Sequence, residues 1–251
     1  MKKGFGILVR TSTIMVSLFF IFFASSLLVA QNTDDIHLFQ SYFFDATISQ
    51  RPYFEGGLSY SDFDTASVLA IGGQGGFPIN KKLEVQAALS YINISPEQGD
   101  GQSGISDLSL YGRYNLSNNG KTIFSAGGMI TLPVGSEDVG KGNTNFEGFG
   151  AVRHKLQSGL TLTGTAGLLF FKNWEDDYDT SFNIGFGGIY PVNKLLAVVG
   201  EFSMQSEGDY MMVSAGVDYK LSKGHVRGAL GLGLDDGAPD IQIYGSYLVN
   251  L

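Results

Sequence analysis

Apolar and polar residues alternate along most of the chain, in segments of about ten residues. A period of two is typical of β-strands whose two faces meet different surroundings, and helical periodicity is absent from most of the chain. In segment 105–116, Asp107 and Arg113 share one face while Leu108 and Tyr114 share the other. The alternation predicts twelve strands, at residues 52–61, 66–77, 83–94, 105–116, 121–133, 145–156, 160–171, 180–190, 195–205, 210–220, 225–234 and 241–250.

The connections between these strands alternate in length and charge. One set is short and basic or neutral, as in Pro78–Lys81 and Leu221–Gly224, and the other is mostly longer and acidic. In an up-and-down meander every second connection lies at the same end, so fifteen acids fall at one end together with Lys141 and Lys172. The opposite end carries seven lysines and no acid: Lys81, Lys82, Lys121, Lys155, Lys194, Lys220 and Lys223. Short turns at one end and longer loops at the other are typical of outer-membrane barrels.

The composition of the polar face indicates which face meets lipid. That face consists mainly of Gly, Ser, Thr, Gln and Asn with few charges, whereas a water-facing surface usually carries more Lys and Glu. Aromatic residues sit near the ends of the apolar rows, where interfacial girdles belong: Tyr60, Tyr91, Tyr114, Tyr190, Tyr219 and Tyr247. We therefore predict an all-β, single 12-stranded antiparallel up-and-down transmembrane β-barrel over residues 52–251. The alternative is a secreted soluble barrel whose apolar face packs inward.

Composition excludes several other classes of protein. Charged residues make up 16% of the chain and cysteine is absent, which excludes a disulfide scaffold and a Cys-based zinc site. A formal charge of −8 argues against nucleic-acid binding, which needs a basic excess. An aromatic content of 13% argues against a disordered chain. No cofactor is predicted.

The first thirty residues are typical of a signal peptide. Lys2, Lys3 and Arg10 precede a nearly unbroken apolar run over residues 14–30, so we predict a signal peptide at 1–30 with cleavage before Gln31. A transmembrane anchor is the alternative, although the run is short for a span of about 20 residues. No second apolar run of that length follows. Cleavage would leave 13 basic against 24 acidic residues, a formal charge of −11.

Residues 31–51 precede the first predicted strand and are rich in large apolar side chains, such as Ile36, Leu38 and Phe43. We predict a periplasmic lead or a segment that plugs the lumen from the Lys-bearing end. An extra strand is the alternative, and it would upset the even strand count.

Two segments resemble those of a known family. Gly104–Tyr114 (GISDLSLYGRY) resembles the pattern G-hydrophobic-G/S-D-hydrophobic-x-L-x-x-(K/R)-Y, and Ile130–Gly135 resembles a K-L-P-T-G strand end with Val134 in place of Thr. Both are motifs of barrels named for the MetA pathway of phenol degradation, and the resemblance runs from about residue 80 to the end of the chain. It implies an outer-membrane barrel that helps small hydrophobic or aromatic compounds across, and it carries over no catalytic residues. The chain ends in Leu251, where outer-membrane barrels usually end in Phe.

The alternating pattern places nine ionisable residues on the lumen face. An ionisable group in a narrow barrel is costly unless it is paired or hydrated. Six acids and three arginines could form a constriction that selects or gates a solute by charge, or a salt-bridged filling that only holds the barrel together. The lumen-lining candidates are Glu55, Glu84, Asp107, Arg113, Glu147, Arg153, Glu201, Asp218 and Arg227.

Metal binding and catalysis find little support in the sequence. The densest carboxylate group, Glu175, Asp176, Asp177 and Asp179, lacks EF-hand spacing, and we interpret it as a solvated loop rather than a cation site. A lipid-modifying enzyme would need a nucleophile beside a histidine such as His154, but no Gly-x-Ser-x-Gly elbow occurs. We predict that the protein is not an enzyme.

The function expected from these features is passage of a small, hydrophobic or aromatic solute through the lumen of a bacterial outer-membrane barrel with periplasmic termini. The expected partners are the lipid bilayer and the solute, and the oligomeric state is left open. The alternative is a non-transporting barrel that is structural or binds a surface partner.

Overall fold

The computed structural model describes residues 32–140, 142–173 and 177–251. The signal peptide and cleavage site predicted at residues 1–31 lie outside the described residues. The strands are β1 (Tyr53–Phe63), β2 (Ala66–Pro78), β3 (Leu83–Pro96), β4 (Gln102–Ile105), β5 (Leu108–Asn118), β6 (Thr122–Leu132), β7 (Asn145–Lys155), β8 (Thr161–Lys172), β9 (Tyr178–Pro191), β10 (Leu196–Gln205), β11 (Tyr210–Lys220), β12 (Gly224–Gly233) and β13 (Ile241–Asn250). Within the described part of the chain, no helix reaches the length and apolarity that a membrane crossing requires.

The strands form a closed antiparallel barrel. Strands that follow each other in sequence pair, except that β5 pairs with β3 rather than with β4. β1 closes the sheet against β13, with Tyr53 opposite Asn250 and Asp62 opposite Ile241. Both β4 and β5 pair with β3, so together they occupy one position in the barrel wall. The wall therefore has twelve strand positions in up-and-down order, which confirms the predicted fold.

The fourth wall position departs from the unbroken strand that the sequence predicts over 105–116. Tyr91 pairs with Ile105 and Ala88 pairs with Ser109, so the β4–β5 side carries one residue more than β3 between these pairs. This extra residue is a β-bulge, and it interrupts the strand at residues 106–107. Beyond the bulge, Ser136 pairs with the free edge of β4: its N–H donates to the Ile105 carbonyl at 2.8 Å.

The apolar face of the wall points outward. Leu162 and Phe186 are 44% and 59% exposed, whereas Thr161 and Ser181 on the opposite face are fully buried. A belt of exposed leucine, isoleucine and phenylalanine side chains around a closed barrel is the surface that lipid requires. Five of the six tyrosines predicted for the girdles are likewise exposed, and the sixth, Tyr190, is half-buried. The protein is an outer-membrane β-barrel, and the soluble alternative is wrong.

The connections separate by charge at the two ends of the barrel. One end, here called the acidic end, carries the connections 64–65, 97–101, 133–144, 173–177, 206–209 and 234–240. The other, here called the basic end, carries 79–82, 119–121, 156–160, 192–195 and 221–223. Gly120 and Gly159 adopt φ values of 83° and 87° in two of the basic-end turns, a left-handed conformation that glycine accommodates without strain.

The residues before β1 lie inside the barrel and add no strand to it. A short 3-10 helix, Thr33–Asp35, is followed by an irregular path up to β1, and we call residues 33–51 the interior segment. Each of three buried apolar clusters joins this segment to the wall. Their members are Ile36 and Leu38 with Ile189, Ala197 and Val199; Tyr42 and Phe43 with Tyr53 and Leu248; and Ala46 with Ile123, Phe149 and Ala151. The apolar core of the molecule is thus the contact between the segment and the lumen wall.

Phe186→Arg tests the outward orientation of the apolar face. We expect the free energy of unfolding in a bilayer to fall by about 2–4 kcal/mol, because the substitution places a charge in the lipid belt. Ser158→Arg, in an exposed basic-end turn, is the control and should change it by no more than about 0.5 kcal/mol. Equal effects of the two substitutions, measured by urea unfolding in lipid vesicles, would contradict lipid exposure of Phe186.

Candidate functional site

The interior of the barrel is the candidate site, because it collects the buried charges of the wall. The structure places all nine sequence-derived candidates inside the barrel, each no more than 8% exposed: Glu55, Glu84, Asp107, Arg113, Glu147, Arg153, Glu201, Asp218 and Arg227. Strand alternation explains this placement, since each lies on the face opposite the lipid belt. Most of these groups contact the interior segment. The sequence alone does not show that contact.

Arg113 and Glu84 form the first anchor of the interior segment. The Arg113 guanidinium Nη2 lies 2.9 Å from Glu84 Oε1, with both side chains fully buried. Arg113 Nη1 also donates to the main-chain carbonyl of Asp45 at 2.6 Å. Glu84 Oε2 accepts the N–H of Ser49 at 2.5 Å. This wall pair therefore satisfies one carbonyl and one amide of the segment.

Arg153 forms the second anchor, and its ion-pair partner comes from the segment itself. Arg153 Nη1 lies 3.2 Å from Asp45 Oδ2, and both side chains are fully buried. Arg153 Nη2 donates to the carbonyl of Ile36 at 2.9 Å, while Thr163 donates its hydroxyl hydrogen to Asp45 Oδ1 at 3.0 Å. The sequence analysis does not single out Asp45. The available signal was an isolated acid in an apolar, aromatic stretch, in a barrel with three arginines on its lumen face.

Arg227 forms the third anchor. Its Nη1 lies 2.7 Å from Glu55 Oε1 and its Nε lies 3.2 Å from Asp218 Oδ2, so two wall carboxylates hold one guanidinium. The remaining nitrogen, Nη2, donates to the main-chain carbonyls of His37 and Leu38. Charge-assisted bonds of this kind are roughly twice as strong as neutral ones.

Glu201 binds the segment through its amides. The carboxylate accepts the N–H groups of three consecutive residues, Phe39, Gln40 and Ser41, the last two at 3.0 and 3.2 Å. A buried carboxylate that lacks a cation needs such donors to offset its desolvation. The three wall arginines therefore bond to carbonyls of the interior segment, and Glu84 and Glu201 bond to its amides.

The bonds described for Asp107 and Glu147 run to the barrel wall and its connections. Asp107 Oδ1 accepts the N–H of Gly135 at 3.0 Å and so holds the 133–144 connection against the wall. Glu147 Oε1 accepts from Asn183 Nδ2 at 2.8 Å. Asp107 lines a cavity of about 320 Å³, and Glu147 lines one of about 210 Å³. Both residues lie near the acidic-end termini of their strands, on that side of the segment.

Aromatic rings of the interior segment stack against the wall near these cavities. Phe43 stacks on Tyr111 with ring centroids 4.1 Å apart, and Phe44 meets Phe149 edge-on at 5.0 Å. Phe44 also lines the cavity that contains Glu147. We call the cavity lined by Glu147 and Phe44 the acidic-end chamber. It combines a carboxylate with an aromatic ring.

His37 is the buried titratable group of the segment. Its ring stacks on Tyr42 at 4.7 Å and meets Tyr53 at 4.8 Å. Burial lowers the pKa of the imidazole well below its usual 6.5, and the Arg227 guanidinium lowers it further. The neutral ring therefore belongs to the docked state of the segment.

The metal candidates do not form a site in the described structure. Glu175 and Asp176 lie outside the described residues, while Asp177 and Asp179 take part in local loop bonds. Within the described ranges, no group of three or more His, Cys, Asp or Glu residues is arranged to hold a metal.

Comparison with known proteins identifies related sequences and folds. The family model described as "Putative MetA-pathway of phenol degradation" matches residues 92–250, more than half of the chain. None of the curated proteins matches the sequence. The fold is similar to that of the COG4313 outer membrane channel from Pseudomonas putida F1, at 14% identity and a TM-score of 0.67, over 83% of this chain and 98% of that one.

Two porin structures share the fold at lower similarity. The KdgM porin matches at 10% identity and a TM-score of 0.56, over 78% of this chain and 99% of that one. The NanC porin matches at 8% identity and a TM-score of 0.55, over 79% of this chain and 98% of that one.

Arg113→Ala tests the energetic weight of the first anchor. Removing one partner of a buried ion pair typically costs about 3–5 kcal/mol, because the carboxylate that remains is buried without compensation. We expect a loss of that size in the free energy of unfolding in micelles. Lys194→Ala removes an exposed cation in the turn between β9 and β10 and should change it by no more than about 0.5 kcal/mol. If Arg113→Ala lowered the free energy of unfolding no more than the control does, the Arg113–Glu84 pair would not contribute to stability.

The pH dependence of stability tests the burial of His37. Because the docked pKa is depressed, the stability that depends on neutral His37 is complete above pH 6.5 and falls below it. We expect a slope of up to about 1.4 kcal/mol per pH unit from this group between pH 6.5 and 5. His37→Gln should reduce the wild-type slope, measured by thermal unfolding in micelles. Identical slopes in the two proteins would show that His37 is hydrated and free to protonate.

Proposed function

The chain belongs to the family described as the putative MetA-pathway of phenol degradation, and from this premise we propose that it passes a small solute through the barrel lumen. The observation that supports this most directly is that cavities lie on both sides of the interior segment. A cavity of about 560 Å³ lies on its basic-end side, and the cavities lined by Asp107 and by Glu147 lie on its acidic-end side. Apart from its peptide link to β1 through Pro52, the described segment is held by hydrogen bonds, ion pairs and apolar contacts. It can therefore be displaced without breaking the pairing of the wall strands.

We propose the interior segment as the plug of this channel. Seven of the nine lumen candidates hold it directly or through a bonded partner: Glu55, Glu84, Arg113, Arg153, Glu201, Asp218 and Arg227. These residues hold the plug in the lumen and so control whether the channel is open. Asp107 and Glu147 line open cavities and are the groups that a solute entering from the acidic end meets first.

The proposed orientation puts the acidic end outside the cell and the basic end, with both termini, in the periplasm. Support comes from connection length, because bacterial barrels have short periplasmic turns and longer extracellular loops. The twelve-residue connection 133–144 lies at the acidic end, and the turns at 119–121 and 221–223 lie at the basic end.

The proposed solute class is small and aromatic or otherwise hydrophobic. The floor that Phe44 contributes to the acidic-end chamber offers ring stacking, which adds about 0.5–1.5 kcal/mol beyond apolar burial. The family description, which names phenol degradation, agrees with this class.

We propose no catalytic role. The sequence contains His37, His154 and His225 and no other histidine. His37 is buried against two tyrosines, His225 is paired with Asp218, and the exposed His154 lies 2.7 Å from the hydroxyl of Thr122. A non-transporting barrel is the second candidate, because the segment that fills the lumen would also suit a purely structural protein.

Swelling of liposomes that contain the full-length protein separates the two candidates. Asp45→Asn removes the ion-pair partner of Arg153 and should loosen the plug. We expect swelling on the order of 10-fold faster than wild type, as a loss of about 1.4 kcal/mol of docking free energy would give. Asp64→Asn, in an exposed acidic-end turn, is the charge-matched control and should behave like wild type.

Two solutes test the proposed class in the same assay. Arbutin, a neutral phenolic glucoside, should enter faster than methyl glucoside. The channel proposal fails if neither solute enters through wild type or Asp45→Asn and if Arg113→Ala changes thermal stability but not swelling. The non-transporting structural barrel would then replace it.

A further inference from the structure

A polar cavity of about 560 Å³ lies at the basic end, between the two ends of the interior segment and the turn that joins β11 to β12. Its volume is within the range of small-ligand sites, about 300–1,000 Å³. Two of its lining residues, His37 and Ser49, also bond through their main chains to the anchors Arg227 and Glu84. Its lining consists of Asp35, His37, Ser49, Gln50, Arg51, Lys220, Leu221, Ser222, Lys223, Gly224, His225, Val249 and Asn250.

The charge of this lining is opposite to that of the chain. Arg51, Lys220 and Lys223 face one carboxylate, Asp35, among the described lining residues, which gives a formal charge of +2 in a protein of −8. Asp218, a buried wall carboxylate next to the lining residue His225, is bonded to His225 at 2.6 Å and to Arg227 at 3.2 Å. Because Asp218 is paired in this way, it does not neutralise the cations that line the cavity.

His37 is one of the buried residues that line this cavity, at 3% exposed. Its buried Nδ1 has no hydrogen-bond partner in the described part of the chain. Buried polar atoms in folded proteins are nearly always paired. The cavity therefore borders a residue whose hydrogen bonding is incomplete in the described contacts.

We propose that this cavity binds a small multivalent oxyanion, of the phosphate or carboxylate class, which bridges Arg51 of the interior segment to Lys220 and Lys223 of the wall. Arginine and lysine form charge-assisted bonds to such oxyanions. A bound anion joins the segment to the barrel in the cavity that Arg51 and the two lysines line together, so it stabilises the docked plug. The ligand approaches from the basic end, because the acidic end repels anions.

The same oxyanion chemistry can come from a soluble metabolite or from a lipid headgroup. Inorganic phosphate and citrate, titrated by calorimetry into the full-length protein in micelles at fixed ionic strength, test the soluble source. Native mass spectrometry of the protein from nanodiscs containing phosphatidylglycerol or phosphatidylcholine tests the lipid source. Selective retention of phosphatidylglycerol assigns the lipid source, and saturable binding of phosphate or citrate assigns the soluble one.

A pair of double variants distinguishes a built site from diffuse positive charge. Lys220→Gln with Lys223→Gln should weaken anion binding at least 10-fold and remove the anion-dependent rise in melting temperature. Lys81→Gln with Lys82→Gln loses the same charge in another basic-end turn, outside this cavity, and should bind like wild type. Arg51→Gln is the second test, because it weakens the bridge from the segment side.

Two results would overturn the proposal. One is equal weakening by both lysine double variants, which would indicate a non-specific basic surface. The other is the absence of saturable binding of phosphate, citrate and phosphatidylglycerol to wild type. The binding assays require no solute flux, so their outcome is independent of whether the barrel conducts.

Discussion

Contact between lipid and the outer wall is the constraint on which the rest of the structure depends. Since successive residues of a strand face opposite sides, a wall with Leu162 and Phe186 outside must place its polar residues inside. The lumen consequently receives ionisable groups that a soluble protein would leave in water. Inside this barrel, hydrogen bonds and ion pairs offset the desolvation cost of those ionisable groups.

The interior segment supplies much of that compensation. Three buried guanidiniums meet wall carboxylates and Asp45, and each also donates to main-chain carbonyls of the segment. Buried ion pairs give little net stability relative to apolar packing, but loss of one partner is costly. Charge pairing therefore fixes where the segment docks, while the three apolar clusters supply the hydrophobic part of its affinity. A segment held in this way is stable in place and remains separable from the wall, which is the property a plug requires.

The sequence predicts the wall far better than its contents. Strand periodicity and the charge of the connections predict the barrel, its order and the inward direction of residues such as Arg113, because these depend on local alternation. The path of residues 33–51 has no periodicity and depends on contacts with strands more than a hundred residues away, such as Arg153 to Ile36. Asp45 was missed for the same reason. The bulge at residues 106–107 was missed because the alternation there predicts an unbroken strand.

Oxygen accessibility of spin labels along β12 tests the central constraint most directly. The chain contains no cysteine, so a label can be attached at single introduced cysteines from residue 228 to residue 232 in lipid vesicles. The account predicts a period of two, with high oxygen accessibility at 228, 230 and 232 and low accessibility at 229 and 231. An inverted pattern, or accessibility that does not alternate, would show that the apolar face does not meet lipid.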